Sequence, residues 1–95
     1  MNLRQLARDK QCQIRLTGVC NHDPATTVLA HVRLVGISGI GTKAPDWMGS
    51  WACSACHSYV DTHHDKNVKA DFYEGVLRTQ YELWRLGLEF TRPKP

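Results

Sequence analysis

The stretch Cys53-Ser54-Ala55-Cys56-His57-Ser58-Tyr59-Val60-Asp61 decides how the chain is read, because it joins a two-cysteine knuckle to a helix turn that carries metal-ligand side chains. Cys53 and Cys56 have the spacing of half a tetrahedral zinc site, and Cys12 and Cys20, the other two cysteines, can complete it. His57 and Asp61 stand four residues apart, so on a helix they share a face and can hold a second ion. Two sites follow: a closed, structural zinc and a second, open position.

Working outward, 95 residues make one domain, 1–95, and a chain this short buries only about 60–65% of the surface its unfolded form exposes, so a metal staple helps it considerably. The first ten residues are charged throughout and lack the apolar run of a secretory signal, and no segment approaches the roughly 20 apolar residues of a membrane span. The expectation is a cytoplasmic protein with no membrane partner. In a reducing compartment four cysteines read as thiolate ligands rather than as two disulfides.

Twelve Lys and Arg against nine Asp and Glu give a net charge of +3, with a pI of ≈ 8.8. That balance permits a polyanionic partner without requiring one. Arg4, Arg8, Lys10, Arg15, Arg33 and Lys43 all fall in the first half, near the candidate metal ligands, whereas Glu74, Glu82 and Glu89 balance the later segment. Phosphate contact near the metal is one reading of this asymmetry and a solvated basic face is the other.

Asn2 can cap a short helix over residues 3–9, with Leu3 and Leu6 inward. Cys12 to Cys20 alternates apolar and polar residues before a Thr-Gly turn, which predicts a short strand that brings both cysteines together. Thr26 to Leu34 is β-branched and apolar, the best strand candidate, and it carries His31. Between residues 36 and 49 stand Gly36, Gly39, Gly41, Pro45 and Gly49, which predicts a loop of about 14 residues whose backbone can approach a phosphate. A helix from about Ser54 carries His57, Val60, Asp61 and His64. Asp65 can cap a last helix, about 66–87, with Val68, Phe72, Val76, Leu77, Tyr81, Trp84 and Leu88 as its core-facing stripe and Gly87 as its stop. His22, His63 and His64 read as surface residues.

The order of knuckle, strand histidine, Gly-rich loop, knuckle and ligand-bearing helix resembles that of the HNH, or ββα-metal, endonucleases. The residues that carry the resemblance are His31 in Leu29-Ala30-His31-Val32, Asp46 in Ala44-Pro45-Asp46-Trp47, and Cys53 to His57 followed by Asp61. Across nearly the whole chain, the phrases LAHVRL, GISGIGTKAPD and WACSACHSYVD are similar to the small prophage-encoded YbcO type, whose members carry the name putative nuclease and are similar to the catalytic domain of the phage RecA-dependent nuclease Ref. The HNH match itself covers about residues 12–64.

The resemblance implies an α+β fold, a zinc-stapled ββα core with a short N-terminal and a longer C-terminal helix. It implies a metal-dependent DNA endonuclease in a bacterial host, acting in recombination or DNA processing, with DNA and a RecA-like filament as partners. His31 would be the general base and Asp46 its partner. Cys12, Cys20, Cys53 and Cys56 would hold structural Zn²⁺, and His57 and Asp61 a catalytic Mg²⁺, Mn²⁺ or similar ion. Arg15, Arg33 and Lys43 would line the DNA groove. Two positions depart from the family pattern: Ala30 stands where a further metal ligand is common, and Asp46 stands for the middle Asn, able either to accept a hydrogen bond from His31 or to ligate the metal. The alternative is a noncatalytic zinc module that binds DNA or a recombination protein.

Overall fold

The computed structural model describes residues 2–39 and 41–90. Helix α1, Leu3–Leu6, starts where the Asn2 side chain accepts hydrogen bonds from the backbone N–H groups of Arg4 and Gln5. It is shorter than the 3–9 span expected, because Asp9 takes a left-handed φ of 63° that no helix accommodates.

The expected strand over the first knuckle does not form. Gln13 N–H donates to the Trp51 carbonyl at 2.8 Å, but Arg15 then turns into the left-handed region with φ 56° and the chain leaves the sheet. A turn follows, in which Val19 and Cys20 N–H both donate to the Leu16 carbonyl. Alternation of apolar residues thus marked inward positions, with Cys12, Ile14 and Leu16 all buried, without marking strand pairing, and Gln13 between them is buried as well.

Strand β1, Val28–His31, pairs antiparallel with β2, Gly49–Ala52, in the register Val28↔Ala52, Leu29↔Trp51, Ala30↔Ser50 and His31↔Gly49. β1 is the middle of the stretch expected over Thr26–Leu34, entered from a 3-10 turn at Pro24–Thr26 capped by Asp23. β2 has no pattern to reveal it: Gly-Ser-Trp-Ala is buried at all four positions, so it shows no alternation. Helix α2, Ser54–Thr62, follows directly, with the Cys53 sulfur accepting from Cys56 N–H at its N-terminus.

Helix α3, Lys66–Arg85, is capped by Asp65, whose carboxylate accepts from Val68 N–H at 3.0 Å. It stops at Gly87 with φ 98°, where Gly87 N–H reaches the Trp84 carbonyl and Leu88 N–H the Leu83 carbonyl. Its inward face is not the one the apolar stripe marked. Val68 and Val76 are buried as expected, but so are Gly75, Thr79 and Leu83, whereas Leu77, Tyr81 and Trp84 are 64%, 59% and 63% exposed. The reason is the closeness of α3 to β2. Thr79 Oγ1 accepts the Trp51 N–H at 3.0 Å, and a Cβ on Gly75 would lie 2.7 Å from Ser50 Oγ, so small and hydroxyl side chains occupy positions a hydropathy count assigns to bulky ones. Arg78 closes the seam by donating to the Gln13 carbonyl at 3.0 and 2.8 Å.

The core divides into three clusters. One surrounds the thiols, with Ile14, Leu16, Ala30, Val60 and Val68; one joins Leu3, Ala7, Leu29, Trp51 and Leu83; a small one joins Val32, Ala44 and Val76. No helix among the described residues is long and apolar enough to cross a membrane.

Candidate metal centre and groove

The turn after Leu16 and the N-terminus of α2 bring the four cysteines together. Their sulfurs all lie within 4.8 Å of one another, and among the described residues these form the one group of three or more His, Cys, Asp or Glu ligands close enough to share an ion. None is in a disulfide. A tetrahedral zinc with Zn–S of about 2.3 Å separates its sulfurs by about 3.8 Å, and Cys20 and Cys53 Sγ lie 3.8 Å apart.

The electrostatics of the cluster also fit a cation. Burial, the strongest influence, pushes Cys20 and Cys56 upward, and the neighbouring Cys12 adds to the rise at both. At Cys53 burial also acts upward, but the N–H groups of Cys56 and Asn21, helped by the neighbouring thiols, outweigh it and bring the group down to about 7. One ready thiolate beside two reluctant ones is an arrangement that a divalent ion completes by relieving the mutual repulsion. His22 joins at the edge, its Nδ1 3.7 Å from Cys20 Sγ.

A groove of about 1120 Å³ opens on the other side of β1, bounded by the N-terminal segment, the 33–44 loop and α2. His31, Arg33 and Lys43 line it from β1 and the loop, Arg4 and Arg8 from the N-terminal segment, and His57 and Asp61 from α2. Asp61 is thus the sole acidic residue among four Arg and Lys side chains. His57 Nε2 and Asp61 Oδ2 are 3.5 Å apart, and Asp61 Oδ1 is 3.5 Å from Arg33. The i, i+4 spacing does place both candidate ligands on one face, and they offer two protein ligands rather than three.

His31 stands at the end of β1, half-buried, with Nε2 2.7 Å from Asp46 Oδ1. Arg4 Nε donates to the same oxygen at 3.2 Å. The hydrogen bond from His31, the largest effect, holds the Asp46 carboxyl below its ordinary value against the opposing influence of burial, and Arg4 adds to the lowering. Asp46 is therefore an ionised, acceptor-only group, so the proton of a neutral His31 resides on Nε2 and Nδ1 keeps its lone pair. Asp46 is engaged by Arg4 and His31 rather than gathered with His57 and Asp61.

Arg15 is placed apart from the groove. Its guanidinium donates to the Cys12 carbonyl and the Gln13 side chain, and it borders a shallow cleft with Leu77, Arg78, Tyr81 and Glu82. The expectation that it lines the groove is corrected: the left-handed turn at Arg15 aims it away. Arg4 and Arg8 take its place. The basic bias of the first half hinted at them, but the contact of Arg4 with Asp46 spans 42 residues and has no local signature. His63 is stacked on Tyr59 with ring centroids 3.8 Å apart, and His64 is exposed.

The fold and site define a small α+β protein with a buried tetrathiol cluster under a basic, histidine-lined groove. The chain belongs to the YbcO family, whose description reads "Putative nuclease YbcO" and whose family model matches residues 1–88. Proteins of that name from Escherichia coli strain K12 and from Enterobacteria phage 82 are each 51% identical over 87 residues, covering 87% of this chain and 90% of theirs. A solved structure described as a putative bacteriophage protein from Escherichia coli K-12 substr. MG1655 superposes with a TM-score of 0.73 at 40% identity, over 88% of this chain and 98% of that one.

Proposed function

We propose that the protein is a metal-dependent DNA endonuclease of the HNH type, phage- or prophage-encoded, with a zinc-stapled core. The observation that carries this reading is the meeting of His31, held by ionised Asp46, with His57 and Asp61 in one basic groove. The names of the relatives support a nuclease.

In this reading Arg4, Arg8, Arg33 and Lys43 bind the phosphate backbone and set the scissile phosphate over His31. His31 Nδ1 takes a proton from the attacking water while Nε2–H remains bonded to Asp46, which fixes the ring and stabilises the imidazolium. The water oxygen forms a bond to phosphorus as the bond to the 3′ oxygen breaks, and the departing oxygen takes a proton from solvent, leaving a 5′ phosphate and a 3′ hydroxyl. His57 and Asp61 would hold a divalent cation, which would supply positive charge for the transition state and the departing oxygen. Imidazole with carboxylate suits Mg²⁺, Mn²⁺ and several other ions alike. The four cysteines would hold zinc, which would anchor the N-terminus of α2 and hence His57. A RecA-like filament is the partner suggested by the likeness to Ref.

A second reading, a noncatalytic zinc module that binds DNA, rests on Ala30, which is buried in the core where a further ligand is common. Nicking of supercoiled plasmid with Mg²⁺ or Mn²⁺, abolished by His31→Ala, separates the two. Equal plasmid loss with His31→Ala, in preparations free of contaminating nuclease, overturns the catalytic assignment.

A further inference from the structure

The face of α3 turned away from the core is apolar along most of its length. At about 100° per residue, Ala70, Tyr73, Leu77, Tyr81 and Trp84 fall within roughly a quarter of the helix circumference, opposite Val68, Gly75, Thr79 and Leu83. All five are exposed. Ala70, Leu77 and Trp84 are spaced by seven residues, the interval at which one helix meets another along a seam. A solvated helix carries charge there instead.

We infer that this face is a self-association surface, on which α3 packs antiparallel against α3 of a second copy of the chain. Two features point to a second copy. A two-fold axis beside Leu77 sets Leu77 against its own counterpart, Tyr73 against Tyr81, and Ala70 against Trp84, so the largest side chain of the stripe meets the smallest. The charges bordering one side of the stripe are also divided by half: Asp71 and Glu74 lie before Leu77, Arg78 and Arg85 after it, the Arg78 guanidinium keeping its charge while bonded to the Gln13 carbonyl. Antiparallel pairing brings Asp71 and Glu74 on this flank of one helix toward the basic end of the same flank on the other, while Lys66 and Lys69, also before Leu77, lie off this flank, so the complementarity belongs to the flank alone. Glu82, which pairs with Arg85 at 3.2 Å within the same helix, is the one acid in the basic half.

The stripe runs about 21 Å from Ala70 to Trp84, a small interface, so the dimer forms in the micromolar range. No residue lining the groove belongs to α3, and pairing leaves both grooves open. The surface is independent of the proposed nuclease activity.

Sedimentation equilibrium of the full zinc-loaded chain tests this. The mass should rise from that of a 10.8 kDa monomer toward twice that value over about 1–100 µM. Leu77→Glu, at a 64% exposed position that leaves the fold intact by circular dichroism, should move the midpoint upward at least tenfold. Under mild oxidation Leu77→Cys should cross-link to itself and Ala70→Cys, which faces Trp84, should not. A constant monomer mass up to about 300 µM, association unchanged by Leu77→Glu, or self-linking of Ala70→Cys each overturns the proposal; in the first case the stripe awaits a different protein.

Discussion

His31 Nε2 lies 2.7 Å from Asp46 Oδ1, across a sequence separation that covers most of the Gly-rich loop. The contact gives that loop a structural purpose: it returns a carboxylate to the end of β1 after a 15-residue excursion, where Arg4 holds it from the other side. Asp46→Ala should lower cleavage by about 10- to 100-fold through loss of the ring's orientation while leaving DNA affinity nearly unchanged. Single-turnover cleavage beside a binding titration reads this, together with the ¹⁵N shifts of His31, which should lose their preference for the Nε2–H tautomer. A drop in affinity matching the drop in rate would instead place Asp46 in binding.

Zinc removal should unfold much of the chain. A structural zinc contributes on the order of 10–16 kcal/mol in small domains, against a usual net stability of about 5–15 kcal/mol. Elemental analysis should find one zinc per chain, and a strong chelator should abolish the cooperative melt. Cys53→Ser should be the most damaging single change, because Cys53 also caps α2. A metal-free preparation with an unaltered melt contradicts this.

Zinc affinity should fall steeply as pH falls. The raised Cys20 and Cys56 are protonated at pH 7 and Cys53, at about 7, is half so. Metal uptake therefore releases more than two protons, and below pH 7 affinity should fall on the order of 100-fold or more per pH unit. Calorimetry in buffers of different ionisation enthalpy counts the protons directly. Release of one or none would mean the thiols are already ionised and the burial argument is wrong.

Gly75→Ala should destabilise the fold although alanine is the better helix former. Propensity favours the change by about 1 kcal/mol, but the new Cβ would lie 2.7 Å from buried Ser50 Oγ and 3.1 Å from the Gln13 backbone. Overpacking of this kind costs about 1–3 kcal/mol. The net loss, up to about 2 kcal/mol, corresponds to a fall of up to about 15 °C in Tm. A melt at or above the parent's would show that β2 and α3 can separate cheaply.

Gly75 also explains how far the sequence could be read. Cysteine spacing, the caps at Asn2 and Asp65 and the stop at Gly87 are local chemistry, and each was visible in a few consecutive residues. The inward face of α3 was not, because what selects it is the proximity of β2, expressed through Gly75, Thr79 and Ser50 rather than through hydrophobicity. The first knuckle misled for a related reason: Cys12, Ile14 and Leu16 alternate as a strand does, yet they point at the thiol cluster and α3, and Arg15 breaks the backbone after a single bond to Trp51. In the groove, His31, His57 and Asp61 were legible from spacing and family likeness, whereas Arg4 arrives from the far end of the chain.

That exchange of Arg15 for Arg4 and Arg8 gives a sharp test of the groove. If Lys43 and Arg8 contact phosphates, removing either should weaken binding to all sequences alike and lower the slope of log affinity against log salt by about 0.9, because each contact releases one counterion. Arg15→Ala should leave both quantities at the parent's value, since its guanidinium is bonded to Cys12 and Gln13 and lies outside the groove. Arg33→Ala should differ from Lys43→Ala: besides a lost phosphate contact it frees Asp61 from its 3.5 Å pairing, so cleavage should need less added metal even as DNA affinity falls. Fluorescence anisotropy across a salt series, with a metal titration of cleavage, measures all four variants together. An Arg15→Ala slope that changes as much as that of Lys43→Ala would move the DNA path to the α3 side of the molecule.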